Sequence, residues 1–178
     1  MGVPAVIACI LTVAAVAPAA QSPTREEALS AVYPGSVIRA EQLFLTLVQQ
    51  KRVAELAGVD VSTALVARYL AMRDGTVVGR AYVDTHTVRT KRASLLIALN
   101  RDGTVVRVEV TAFLEPPEFR APEIWLRQYR DKTLDSDLAV NRSIRPLAGA
   151  TLTTRAVNGA VRRVLAIDSV LRSDRGAR

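Results

Sequence analysis

The chain predicts an α+β fold in one domain, a twisted antiparallel β-sheet covered by helices, and three observations carry that expectation. Asp-Gly occurs twice between β-branched runs, in Arg73-Asp74-Gly75 and in Asn100-Arg101-Asp102-Gly103. Gly accepts the positive φ that a tight hairpin demands, so each site joins two antiparallel strands. Val106, Val108 and Val110 alternate with Arg107, Glu109 and Thr111, the period of a strand with one buried and one wet face. Near the end of the chain the period changes. Val157, Ala160, Val161, Val164, Ile167 and Leu171 recur at helical spacing, which predicts an amphipathic helix from Thr153 to about Leu171 packed across the sheet.

In chain order, Thr24 and Glu27 have capping-box spacing and open a short helix that Tyr33-Pro34-Gly35 ends. Val37 to Phe44 reads as a strand. Thr46 and Gln49 repeat the capping-box spacing, and Gly58 closes that second helix. Residues 20–60 therefore read as a helical cap region, and 61–178 as the core of the same domain. Strands are expected over Ala64–Met72 and Thr76–Asp84, then over Ser94–Leu99 and Thr104–Phe113. The repeated Asp-Gly-Thr-Val-Val string has the look of an internal duplication. Pro122 opens a helix through Arg130, in which Trp125 and Tyr129 lie one turn apart and can stack. Lys132 to Leu147 is a long polar connection, and loops of that length in a compact domain are usually functional or conceal a short element. With these elements the helices are expected on one face of the sheet.

Residues 1–19 are almost wholly apolar and carry no charged side chain. Ala17-Pro18-Ala19 fits a small-x-small cleavage site, so the stretch reads as a signal peptide, with an N-terminal anchor as the alternative. Cys9, the only cysteine, falls inside it, so no disulfide or thiolate chemistry is expected in the mature chain. The apolar content of 49% argues against disorder. The net charge of +7 is spread singly, without a basic helix or interleaved aromatics. Acidic partners or anionic lipid surfaces therefore suit it better than nucleic acid. No nucleophile–base pair and no metal-ligand cluster is legible, and His86 is the only histidine. Taken alone, His86 reads as a polar residue in a loop between hairpins.

The stretch that ties these elements to chemistry is Ala148-Gly149-Ala150-Thr151-Leu152-Thr153-Thr154. Gly149 and Ala150 leave the backbone open to close approach. Thr153 or Thr154 is placed to cap the helix that follows, and free N–H groups at a helix start favour an anion such as phosphate. Arg142 and Arg145 lie just upstream, and guanidinium offers bidentate donors to phosphate.

The Gly-Ala-Thr-x-Thr-Thr string resembles the flavinylation site of the FMN-binding domain family, which includes the RnfG and NqrC subunits of membrane redox complexes. The resemblance extends more loosely through Tyr82 to Thr90 and Phe113 to Glu118. It implies FMN held covalently by a phosphodiester on Thr151, attached by an ApbE-type flavin transferase, with Thr153 and Thr154 matching the Thr-Ser pair of the pattern. Ala148 stands where Ser or Thr is usual, and Arg145 where Asp is usual. The resemblance also implies roles for His86, as a hydrogen-bond donor or proton route to the flavin, and for Glu115, as one wall of its site. Gly149, Ala150 and Leu152 complete the expected cofactor-binding set.

Two functional classes follow. One is an exported electron-transfer flavoprotein, periplasmic or on the outer face of the cytoplasmic membrane, working with redox partner proteins or a membrane electron-transport complex. The other is a binding or sensory module of the same fold, with FMN held non-covalently or absent. In either case the Thr151 hydroxyl is expected to be exposed at the start of the last helix.

Overall fold

A computed structural model describes residues 24–176; the leader read over residues 1–19 lies outside them. The capping boxes form as their spacing predicts. Thr24 and Glu27 bond reciprocally at the start of α1 (Arg25–Val32), as do Thr46 and Gln49 at the start of α2 (Leu47–Ala57). Gly58 ends α2 at φ 66°. Between the two helices runs β1 (Val37–Phe44).

The sheet is a five-stranded antiparallel meander in chain order, β1 with β2 (Leu65–Arg73), β3 (Thr76–Thr87), β4 (Arg92–Asn100) and β5 (Val105–Phe113). Both Asp-Gly turns lie at hairpin tips, with positive φ at Gly75 and Gly103. The second hairpin begins earlier than its β-branched pattern implies. β3 runs on to Thr87, so His86 is a strand residue opposite Ala93 and not part of a loop.

Helices cover both faces of the sheet, where one face was expected. On one side Leu95, Ile97, Leu99, Val105 and Val108 pack with α4 (Thr151–Gly176) and α2. On the other, Leu96 and Ala98 pack with Ala28, Leu29 and Tyr33 from α1. The reason is legible in β4, whose Leu95-Leu96-Ile97-Ala98-Leu99 run is apolar at every position; a strand without alternation is buried on both sides. Tyr33 fixes α1 to the sheet, its hydroxyl lying 2.9 and 2.8 Å from the carbonyls of Arg80 and Leu99. Gly79 makes room for it: a Cβ there would stand 2.3 Å from the Tyr33 ring.

The helix expected over 122–130 is one α turn, α3 (Glu123–Leu126), continued as a 3-10 turn over Arg127–Tyr129. Trp125 and Tyr129 meet edge to face at 5.8 Å. The polar connection that follows is pinned rather than loose. Leu138 and Ile144 are fully buried, Val140 and Ile144 form an isolated bridge, and Arg162 from α4 donates to the carbonyls of Asp135 and Leu138. Val157, Ala160, Val161, Val164 and Ile167 are buried against the sheet, as the helical period requires. Among the described residues no helix is long and apolar enough to cross a membrane.

Candidate functional site

The chain enters α4 through a tight turn. The Ala150 N–H donates to the Leu147 carbonyl at 3.1 Å, and Gly149, third residue of the turn, has φ 73°. That position calls for positive φ in a type II turn, which glycine adopts without strain. The Ala150 carbonyl then accepts from Thr154 N–H at 2.9 Å, which makes Ala150 the N-cap. α4 therefore begins at Thr151, two residues earlier than expected, and neither Thr153 nor Thr154 caps it.

Both of those hydroxyls are spent inside the protein. Thr154, fully buried, bonds through Oγ1 to the Ala150 carbonyl at 3.1 Å and accepts from Leu147 N–H at 2.9 Å. Thr153 donates to the Phe119 carbonyl at 2.7 Å, tying α4 to the loop after β5. Ala150 has no side-chain oxygen to offer. The first N–H groups of an α-helix have no intrahelical partner, and no side chain accepts from Thr151, Leu152 or Thr153 N–H among the described residues. Helices α1 and α2 close their starts with capping boxes, whereas α4 leaves its start open.

Thr151 and Leu152 are exposed, and the Thr151 hydroxyl makes no hydrogen bond within the described residues. They stand on the wall of a hollow of about 230 Å³ together with Gly149, Ala150, Thr153, Val88, Arg89, Glu115 and Phe119. Glu115 holds that wall in place. One of its carboxylate oxygens accepts from the backbone N–H groups of Lys91, Thr90 and Arg89, at 2.8, 2.8 and 3.0 Å. These bonds hold its carboxyl below the ordinary glutamate range, the Lys91 donor contributing most. The 3-10 turn over Pro117–Phe119 that follows carries Phe119 beneath the Arg89 guanidinium, 5.5 Å from the ring centroid.

The expected site residues are thus brought together unequally. Gly149, Ala150, Thr151, Leu152, Thr153 and Glu115 converge on the hollow, while Thr154 and Ala148 shape the turn behind it. Arg145 does not join them. Its main chain is clamped between Trp125 Nε1 and the Gln128 side-chain oxygen, at 2.9 and 2.8 Å, and its side chain is exposed and absent from the lining. Arg142 is engaged with Ser136 and Asp137. The cation on the rim is Arg89, which charge proximity in sequence does not single out; its signal is its place in the Thr87-Val88-Arg89-Thr90 turn that Glu115 organises. His86 stands in a neighbouring hollow that shares Val88 and Leu152 with the first. Among the described residues no cluster of His, Cys, Asp and Glu could hold a metal ion.

Residues 91–166 match a family model described as an FMN-binding domain. That segment is similar to the FMN-binding domain family. The match begins at the turn that Glu115 organises and spans β4, β5, the Glu115 loop, the Gly149 turn and α4 as far as Ala166, so of the residues lining the hollow all but Val88 and Arg89 lie within it. Searches of curated proteins and of solved structures gave no match. The hollow's chemistry suits FMN: a free hydroxyl and uncapped N–H groups meet a phosphate, Arg89 adds a positive charge, and Val88, Leu152 and Phe119 offer apolar surface to a ring.

Proposed function

We propose that this chain is an exported electron-transfer flavoprotein that carries FMN on the Thr151 oxygen through a phosphodiester, placed there by an ApbE-type flavin transferase. One observation carries the reading: the Thr151 hydroxyl is exposed and unbonded at the first position of an uncapped helix, on the wall of a hollow. In the attachment, Thr151 Oγ forms a bond to the FMN-side phosphorus of FAD, the bond to the AMP phosphate breaks and AMP leaves. The hydroxyl proton passes to a base of the transferase, and no electrons change hands. The remaining negative charge of the diester meets the free N–H groups at the helix start, a contact worth roughly 0.3–1 kcal/mol where exposed.

A tether also answers the size of the hollow. At about 230 Å³ it falls below the ~300–1,000 Å³ of sites that enclose a small molecule. Retention by a covalent bond removes the need for enclosure, and an exposed ring edge is what exchange with a partner protein requires. FMN supplies the redox chemistry; Thr151, the helix start and Arg89 supply attachment and charge. The apolar, charge-free leader supports export to the periplasm or the outer face of the cytoplasmic membrane, and the net charge of +7 suits redox partner proteins with acidic surfaces.

The test is the intact mass of protein produced beside an active transferase. A gain of one FMN less water, mapped to the peptide containing Thr151 and absent from Thr151→Ala, is expected. Covalent flavin persisting in that variant, or mapping to Thr153, overturns the assignment. Cell fractionation with and without residues 1–19 tests export separately.

A further inference from the structure

Just ahead of the segment matched by the family model, the end of β3 meets α4 in a second polar constellation. Asp84 is buried and receives three bonds: from Arg163 Nε and Nη2 at 2.7 and 2.9 Å, and from His86 Nδ1 at 2.8 Å. Burial alone raises a carboxyl, but here the His86 and Arg163 bonds outweigh it and hold Asp84 below the usual aspartate range. A carboxylate facing Nδ1 places the hydrogen on that nitrogen. Nε2 is left as an acceptor in the neutral ring. The His86 side chain is 10% exposed, and its Nε2 is buried with no hydrogen-bond partner. Leaving a buried polar atom unpaired costs roughly 1–3 kcal/mol. An imidazole oriented by a buried carboxylate and left open on its other nitrogen points to a missing partner.

His86 lines a hollow of about 310 Å³ against one stripe of α4, formed by Leu152, Arg155, Ala156, Gly159 and Arg163. Gly159 sits in the middle of a 26-residue helix, where glycine costs roughly 0.5–1 kcal/mol against alanine. Packing does not demand it: an added Cβ would meet Val59 at an ordinary 3.5 Å. Its missing side chain widens the hollow instead. This hollow and the one beside Thr151 meet at Val88 and Leu152. The one beside Thr151 lies below the smallest volumes that hold small molecules, and this one lies at the lower end of that range. From Leu152 to Gly159 the helix rises about 10 Å, a length that suits a fused three-ring system.

We propose that this second hollow seats the ring system of the FMN carried by Thr151, with His86 Nε2 accepting a hydrogen bond from a ring N–H. The inference rests on the tether at Thr151. Leu152 and Arg155, both exposed, are the side chains free to move as the ring settles. His86 is a positioning residue in this arrangement: it fixes which edge of the ring is turned inward and so which is left to a partner protein. Asp84, itself held by Arg163, keeps the imidazole in the required tautomer.

His86 is the sole histidine, so the untagged, 15N-labelled chain has a single imidazole to observe. It is made with and without the active transferase, and intact mass reports attachment independently of the ring's position. In chain that has gained the mass, the Nε2 resonance should move from the free pyridine-type position toward the hydrogen-bonded one. Gly159→Leu, which fills the hollow, should keep the added mass and return Nε2 to its unloaded position. His86→Ala should keep the mass and lower the fluorescence anisotropy of the attached flavin. Full mass gain with an unmoved Nε2 resonance overturns the proposal while leaving the tether intact. If no mass is gained, the tether has failed, and free FMN at saturation becomes the probe: a shifted Nε2 supports the ring seat and an unshifted one overturns it.

Discussion

The two ends of α4 face the same sheet and treat their polar groups in opposite ways. Toward the C-terminal end, Asp168 is fully buried and its oxygens are all engaged, by Arg80 (Nη2 at 3.1 Å), by the Tyr82 hydroxyl at 2.8 Å and by Arg172 at 2.9 Å. Arg80 continues to the Arg101 carbonyl at 2.9 Å, which locks the tip of the β4–β5 hairpin. Toward the N-terminal end, the Thr151 hydroxyl, the first N–H groups and His86 Nε2 have no partner among the described residues. Stability requires that buried polar groups be satisfied within the chain. A binding site requires that some be left for a ligand. The helix separates these demands along its length, so that a substitution at one end should act on folding and at the other on loading.

The largest effect is expected from Asp168→Ala. It strands the buried Arg80 and Tyr82, and breaking a buried pair from one side costs roughly 3–5 kcal/mol. The unfolding midpoint in urea should fall accordingly while any protein that folds still accepts flavin; loss of loading in folded protein would show that the ends are coupled. Thr154→Val comes next. It removes the acceptor for Leu147 N–H and leaves that half-buried donor unpaired, a cost of roughly 1 kcal/mol. Because Leu147 opens the Gly149 turn, slower flavin incorporation should accompany the loss, measured as mass gain against time with the transferase.

Glu115 gives a smaller, pH-dependent effect. Its folded carboxyl sits below its unfolded value of about 4.3, so its contribution is complete above that value. The contribution is lost as pH falls through the lowered folded value, because protonation weakens acceptance from Arg89, Thr90 and Lys91. Protection of those three amides from exchange should fall once pH drops below the ordinary glutamate range, and in Glu115→Ala it should already be lost at neutral pH. The smallest change in stability belongs to Thr151→Ala. The exposed hydroxyl makes no hydrogen bond within the described residues, so unloaded wild type and variant should unfold within about 0.5 kcal/mol of each other, although loading is expected to be abolished. A large stability loss there would mean that the hydroxyl has a structural partner.

The elements set by neighbours along the chain are legible in the sequence itself. Both Asp-Gly hairpins, the capping boxes at Thr24 and Thr46, and the buried stripe of α4 follow from φ preference, short-range hydrogen bonding and period, which act over a few residues. Gly149 reads as a turn glycine, and the string after it as an anchoring site, for the same reason. What the hydroxyls and charges do with distant groups is not legible there. Thr153 and Thr154 look like caps in sequence, but Phe119 and Leu147 claim them, and the helix starts at Thr151 instead. Arg145 looks like a phosphate ligand, yet Trp125 and Gln128 hold its main chain away from the hollow, and Arg89 takes the rim because Glu115 gathers the turn beneath it. In sequence His86 is a solitary polar residue whose role only the family resemblance suggests. Its tautomer and its open nitrogen depend on Arg163 and Asp84 meeting across 79 residues. Local propensities depend on the chain near each residue, whereas the partner of a polar side chain is chosen by whichever group the packed sheet and helices bring within 3 Å. Only the tertiary structure makes that choice.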